Sequence, residues 1–379
     1  MQYEVIDADT HINEPPDLWQ TRVPAAMRER APRLVGTERG EAWAFEGGRR
    51  MPIIELSNVR GLSPLQWMTT GARYRDFPAG SHDAAARMAD MDVDLVSAHV
   101  LYPTYVMYGS QIYGSDRELQ LACVRAYNDW MSELCAANPA RLFGLAMLPV
   151  TSVDDAIAEA RRARDLTGIR GVILTCFPNG STVSQPELDD PFWSMAEDLA
   201  LPLTVHVGFH EGSESGADSQ AAMTASVSRL AKTVQERLGV RIMPVVSQLL
   251  LGGVLARHPK LKLGLAEVGT GWIPFFLEQA DDTYLRHRFW TKTHFPELPS
   301  TYFQRQCYAT FQVDSYGVRN RDLMLDAMMW ASDYPHTGSD WPNSRVNINA
   351  QLRGVPDPER RKLLVDNVLR FLGISESTN

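Results

Sequence analysis

A closed barrel of eight parallel strands wrapped by helices, the (β/α)8 architecture, is the fold class this sequence predicts, and three observations carry it. Short apolar runs alternate with longer stretches of helical periodicity eight times along the chain. The 379 residues exceed the roughly 250 that such a barrel needs, which leaves room for insertions. Acidic residues and histidines recur where several of the apolar runs end, and those ends share one mouth in this fold. The expectation is an α/β chain forming a single barrel domain over residues 1–379.

Each element has its own justification. The first strand run is Glu4 to Asp9, and the second is Asp94 to Leu101, entered from a helix around Asp83 to Met91. A long helical stretch from Asp116 to Asn138 precedes the third run, Arg141 to Val150. The segment DDAIAEARRARDL reads as a helix that stops at Gly168 and leads into the fourth run, Gly171 to Phe177. A helix from near Pro191 to Ala200 precedes the fifth run, Pro202 to Val207. Two helical segments follow, roughly Ala217 to Leu238 and Val245 to Arg257. The sixth, seventh and eighth runs are Leu261 to Glu267, Gln306 to Phe311 and Met328 to Asp333. A helix from about Pro358 to Leu372 occupies the C-terminal region 356–379.

Three connections are too long for simple loops. Residues 14–80 are rich in Pro, Gly and Arg and carry Trp19, Trp43 and Trp67; they are expected to form an insertion that roofs the barrel mouth. The tryptophans fit a pocket lining and plain packing equally. Gly208 to Gly216 is small and polar, and Trp290 to Ser300 contains two prolines.

Composition excludes several functions. A net charge of −9 argues against a nucleic-acid partner, and Arg161, Arg162 and Arg164 share their helix with Asp154, Asp155 and Glu159. No apolar run reaches the roughly 18 residues of a membrane span, and the opening MQYEVIDAD reads as a strand, not a signal peptide. Cys123, Cys135, Cys176 and Cys307 lack thiolate-site spacing and read as reduced core residues. The expectation is a cytoplasmic protein with a small-molecule substrate.

The strand ends supply Asp9 and His11 after the first run, His206 and His210 at the fifth, Glu267 at the sixth, and Asp333 with His336 at the eighth. Asp9 and His11 have period-two spacing and face the same way from a strand. A buried carboxylate must be paired, solvated or metal-bound. A shared cation at the mouth satisfies all of these groups at once. His99, inside the second run, reads as core or as a residue behind the ligands, and His258, before the sixth, as surface structure. His82, His287 and His294 receive no role.

Four segments carry a family resemblance: IDADTHINEPPDLW (6–19), LPLTVHVG (201–208), HPKLKLGLAEVGTGWIPFFLEQAD (258–281) and ASDYPHTGSDWP (331–342). In these the chain resembles the amidohydrolase superfamily, in particular the amidohydrolase-related group containing aminocarboxymuconate-semialdehyde and resorcylate decarboxylases. The resemblance implies a barrel holding a divalent metal through Asp9, His11, His206 and Asp333, with Asp333 also able to act as a general base, and it suggests a homodimer. Two positions depart from the pattern. Asp9 stands where the founding motif has histidine, and Glu267 stands where related decarboxylases often have one. An oxygen-rich set suits Mn²⁺ or Fe²⁺, with Zn²⁺ also accommodated. Glu14, His210, Glu267 and His336 are additional candidate ligands, enough for a second metal at about 3.5–4 Å.

The main functional expectation is metal-dependent hydrolysis or non-oxidative decarboxylation of an organic acid or acyl compound. In this reading Asp333 moves the proton, and His210 or His336 orients the substrate. The first alternative is a dinuclear non-haem iron monooxygenase on the same barrel, hydroxylating a bulky apolar substrate. The second is a barrel that binds metal or ligand without catalysis.

Overall fold

The computed structural model describes residues 2–53, 55–67, 71–207, 209 and 226–376. Strand β1 (Ile6–Ile12) is buried throughout, as an inner barrel strand must be. The predicted insertion follows it. It contains helix α1 (Leu18–Arg22), short 3₁₀ turns and an antiparallel sheet of β2 (Arg33–Thr37), β3 (Gly40–Ala44) and β4 (Arg50–Pro52).

The regular alternation then begins: α2 (Ala84–Asp94), β5 (Ala98–Pro103), α3 (Arg117–Ala136), β6 (Leu142–Met147), α4 (Val153–Arg164), β7 (Ile169–Leu174), α5 (Pro186–Asp198) and β8 (Leu203–His206). Caps explain several of these starts. Asp116 accepts the N–H groups of Glu118 and Leu119 ahead of α3, and Ser152 accepts that of Asp155 ahead of α4. Helix α4 also carries Asp154 and Asp155 in its first turn and three arginines near its end, matching the helix dipole.

The second half holds α6 (Ser226–Arg237), α7 (Met243–Leu251), α8 (Val254–Arg257), β9 (Leu263–Ala266), α9 (Ile273–Thr291), α10 (Pro299–Gln306), β10 (Cys307–Phe311), α11 (Ser315–Arg319) and β11 (Met328–Trp330). The single helix expected over Val245 to Arg257 is split because Gly253 takes φ +77°; a Cβ there would stand 2.8 Å from the Phe295 ring. Helix α12 (Ser344–Gln351) and the 19-residue α9 had no counterpart in the sequence reading. The C-terminal helix is in fact α13 (Asp357–Arg361), a π turn over Lys362–Asp366 and α14 (Asn367–Leu372), stopped by Gly373 at φ +67°. Among the described residues no helix is long and apolar enough to cross a membrane. All four cysteines are free and buried.

The eight barrel strands pair in parallel, in the order β1-β5-β6-β7-β8-β9-β10-β11. Closure from β11 to β1 is made by a few backbone contacts. The Asp333 N–H donates to the Asp9 carbonyl at 2.9 Å and the His11 N–H to that of Tyr334 at 2.7 Å, with one isolated parallel bridge, Thr10 to Tyr334. The sheet is thinnest at this seam.

The insertion packs beside the loops that leave the strands. Asn13 donates to Asn58 at 2.6 Å, and the Val59 N–H donates to the Pro335 carbonyl at 2.9 Å. Trp19 and Trp43 are fully buried and meet edge to face at 5.1 Å, so both serve packing.

At and beyond the ends of β1 and β5, side chains add to the backbone pairing. His11 Nδ1 donates to the Pro103 carbonyl at 2.8 Å, and Thr104 Oγ1 to that of Ile12 at 3.1 Å. Glu14, fully buried, accepts the N–H groups of Tyr105 at 3.0 Å and Val106 at 3.3 Å. Burial pushes its carboxyl from an ordinary 4.5 up to about 7, against the pull of those amides.

Between about pH 4.5 and 7 the folded chain keeps the Glu14 proton while the unfolded chain releases it, so this group's contribution to stability falls as pH rises across that window. The loss is on the order of 3 kcal/mol at about 1.4 kcal/mol per pKa unit. Denaturant titrations of Glu14→Gln and wild type at pH 5 and pH 7 should show the variant lacking that increment. Gly171→Ala places a Cβ 2.8 Å from the Pro202 carbonyl, where the β7–β8 pairing begins, and should cost about 1–3 kcal/mol of stability by the same titration.

Candidate metal centre

Asp9 and His11 lie within β1, two residues apart on one face, and not after the strand as the sequence reading had them. His206 is the last residue of β8. Glu267 directly follows β9, and Asp333 follows β11 by three residues. Both acids leave their strands with left-handed backbone, φ +59° at Glu267 and +61° at Asp333. That conformation costs a non-glycine residue on the order of 1 kcal/mol, and fixed contacts hold it. The Glu267 N–H donates to Thr310 Oγ1 at 2.8 Å, and the Asp333 carbonyl accepts the His336 N–H at 2.8 Å.

These side chains converge. His11 Nε2 lies 3.4 Å from Asp333 Oδ1 and 3.7 Å from Asp9 Oδ1. His206 Nε2 lies 3.7 Å from Asp9 Oδ1 and 3.8 Å from Glu267 Oε2. His336 Nδ1 stands 2.9 Å from Asp333 Oδ1, and its ring stacks on His11 with centroids 4.0 Å apart. Asp9, His11 and His206 are essentially inaccessible to solvent, whereas Glu267 stands at the rim.

Electrostatics follow from three carboxylates gathered with little compensating charge. Burial, then the neighbouring Asp9, hold the Asp333 carboxyl well above the carboxylate range. Burial pulls the His206 imidazole down, but Asp9, Glu267 and Asp333 outweigh it and lift the ring to about 9. His11 is held far below its ordinary range by burial and by the two other histidines, and His336 is pushed down to about 3, mainly by burial.

Both Asp9 carboxylate oxygens, His11 Nε2 and His206 Nε2 are buried without a hydrogen-bond partner among the described residues. Buried polar atoms are seldom left so, and here they face one another. The observed separations of 3.4–3.8 Å are too long for good hydrogen bonds and close to the roughly 3.0–3.4 Å between atoms that share an ion at about 2.1 Å. Because Pro103 offers only a carbonyl, the His11 proton sits on Nδ1 and the Nε2 lone pair is turned to the centre. The residues therefore fit a divalent cation. Two overlapping groups can contribute, Asp9–His11–His206 and His11–Asp333–His336, with His11 common to both.

Other candidate residues fall elsewhere. Glu14 is turned to the Tyr105 and Val106 amides. His210 lies outside the described residues. His258 is buried, not superficial, between Asp190 at 3.7 Å and Glu197 at 3.6 Å. His99 is core, as expected.

Several neighbours escaped the sequence reading. Asp7 accepts the Ser332 N–H at 2.9 Å, bracing the seam below Asp9, and the period-two series 7, 9, 11 could have revealed it. Tyr102 packs its ring against both His11 and His206 and shares a 2.8 Å hydrogen bond with Thr204. Gln312 lies beside Asp333: a Cβ on Gly338 would stand 2.8 Å from Asp333 Oδ2 and 2.9 Å from Gln312 Nε2. No local pattern marks either residue.

Comparison with known proteins gives the family. The amidohydrolase family profile matches residues 6–374. Over 312 residues the chain is 23% identical to 2-amino-3-carboxymuconate-6-semialdehyde decarboxylase of Dictyostelium discoideum, covering 81% of each chain. It is 26% identical over 260 residues to gamma-resorcylate decarboxylase of Rhodococcus jostii (strain RHA1), covering 62% of this chain and 71% of that one. It shares its fold with 5-carboxyvanillate decarboxylase of Novosphingobium aromaticivorans DSM 12444, solved with manganese and 4-hydroxy-3-methoxy-5-nitrobenzoic acid: the TM-score is 0.68 at 14% identity, covering 98% of this chain and 96% of that one. With a buried Asp-His-His-Asp mouth on an eight-stranded parallel barrel and a family match across nearly its whole length, the chain belongs to the amidohydrolase family.

Proposed function

We propose that this chain is a metal-dependent enzyme that removes carbon dioxide, without oxidation, from an aromatic or similarly conjugated carboxylic acid. Hydrolysis of an acyl compound at the same mouth is the neighbouring chemistry. The observation that carries the reading is the set of buried, unpartnered ligand atoms of Asp9, His11 and His206 facing one another beside Asp333. The similar decarboxylases support the choice of carboxylic acids. The oxygenase alternative is not favoured, and Glu14, a donor that a second metal could have used, is committed to backbone amides.

Asp9, His11, His206 and Asp333 would hold the cation, with Glu267 at the rim. Three carboxylates against two imidazoles make a hard, oxygen-rich set, which favours Mn²⁺. When bound, the cation supplies a Lewis acid that neutralises substrate oxygens as charge builds on them.

The protein's own groups do the rest. Asp333 reaches His11 with one carboxylate oxygen, while its other oxygen lies 2.8 Å from where a Cβ on Gly338 would sit, a place that Gln312 also borders. From that place it can give a proton to the ring carbon as the carboxyl carbon departs; R–COO⁻ and H⁺ become R–H and CO₂. His336, stacked on His11 and beside Asp333, keeps that carboxyl in place. The 14–80 insertion, docked on the loop after β11 through Val59 and Pro335, roofs the mouth and limits water.

Elemental analysis of protein purified without chelator should find a divalent metal in stoichiometric amount in wild type and little in His206→Ala. Supplied with carboxyl-labelled hydroxybenzoates, wild type should release labelled CO₂. Asp333→Asn should lower kcat by at least about 10²-fold. Stoichiometric metal with label appearing only in hydrolysed ester or amide would assign hydrolysis instead, and metal-free wild type would refute the reading.

A further inference from the structure

We propose that Arg87, on helix α2, is a positioning residue: across the seam where the barrel closes, it sets the placement of His11 relative to the Asp333–Tyr334 turn, and so the fit of the site for its cation. The inference rests on the metal-site reading above.

Arg87 is fully buried, and its guanidinium is used on every side. Nη2 donates to the His11 carbonyl and Nε to the Gly80 carbonyl, while Nη1 lies 3.3 Å from His99 Nδ1. Its plane lies 4.5 Å over the Tyr334 ring. An arginine can only donate, so His99 accepts there and carries its proton on Nε2. Among the described residues no carboxylate is hydrogen-bonded to Arg87, and Asp90 and Asp7 act on it only through space. The nearest acid on its helix, Asp90, bonds instead to the Tyr334 hydroxyl at 2.5 Å and to Arg60 of the insertion. Arg60 in turn stacks over Trp341 at 4.2 Å, and Trp341 Nε1 donates to the Asp90 carbonyl at 3.0 Å.

The consequence is geometric. His11 has three tethers: its N–H to the Tyr334 carbonyl, its carbonyl to Arg87 and its ring Nδ1 to Pro103. Tyr334, next to Asp333, is clamped from one face by Arg87 and at its hydroxyl by Asp90. Regular strand pairing cannot do this work, because β11 ends at Trp330 and only an isolated bridge joins Tyr334 to Thr10. A planar fork that donates in three directions and stacks at once is a property of arginine and not of lysine. The fit around it is close: a Cβ on Gly80 would fall 1.8 Å from Asp90 Oδ2. Burying a cation with no hydrogen-bonded carboxylate is costly, and what Arg87 supplies against that cost is donation to the His11 and Gly80 carbonyls with stacking on Tyr334, which holds two backbones in register.

The test uses the full-length protein loaded with Mn²⁺. Metal affinity is read by chelator competition, site geometry by the Mn²⁺ paramagnetic resonance spectrum, and folding by the melting temperature. Arg87→Lys should weaken Mn²⁺ binding by roughly 10–100-fold, the usual effect of losing a partner behind a ligand, and broaden the spectrum. Tyr334→Phe, a milder change that keeps the clamp's aromatic face, should weaken binding several-fold with the same spectral trend. Gly171→Ala, destabilised at a distance, should keep the wild-type spectrum and affinity. If Arg87→Lys does not fold, Tyr334→Phe decides alone. Wild-type affinity and spectrum in the folded seam variants would overturn the positioning role, and so would equal losses in Gly171→Ala. Failure of wild type itself to bind Mn²⁺ would overturn the metal-site reading and this inference with it.

Discussion

Closing the barrel places β1 beside the turn after β11, and that contact makes the centre what it is. Asp9 and His11 come from one side of the seam and Asp333 and His336 from the other, and the Asp333 N–H to Asp9 carbonyl bond joins the two backbones directly beneath the ligand atoms. His206 and Glu267 then approach from β8 and β9, two paired neighbours in the sheet. A shift of one residue at the seam would turn Asp9 and His11 out of the mouth, because side chains on a strand alternate. The seam is also where the sheet has least backbone pairing. Its accuracy therefore depends on side chains, Asp7 beneath and Arg87 behind.

Charge explains why so many polar groups are tolerated there. Gathering Asp9, Glu267 and Asp333 in a largely dry mouth raises the Asp333 carboxyl and lifts His206 to about 9, although burial alone would lower the histidine. Burial leads the first shift and the neighbouring carboxylates the second, and a divalent cation would offset both. The left-handed backbone at Glu267 and Asp333 belongs to the same economy of shape. Each turn aims a short acid inward at a small conformational cost, which nearby hydrogen bonds hold in place.

Much of this was legible in the chain itself. Alternating apolar runs and helical stretches specify the eight barrel strands in order, because burial on both faces demands continuous apolar sequence. Asp9, His11, His206, Glu267 and Asp333 could be named because topology dictates which strand ends share a mouth. Boundaries were less secure. Helix α9 and helix α12 were missed, the first because its face carries exposed Phe275, Phe289 and Trp290 and so lacks a clean amphipathic period.

Local pattern, then, determined the fold class, the order of the elements and the residue types gathered at the mouth, since each depends on periodicity and spacing within a short window. Tertiary structure alone decided how each group is used. Glu14 has the chemistry of a ligand but is spent on the Tyr105 and Val106 amides; Arg87 and Gln312 look like ordinary helix and loop residues but stand against His11 and Asp333. His258, which reads as surface, is buried between Asp190 and Glu197. The physical reason is common to all four. Whether a polar side chain becomes a ligand, a brace or a buried partner depends on which distant backbone meets it when the barrel closes, and those meetings span dozens of residues in sequence.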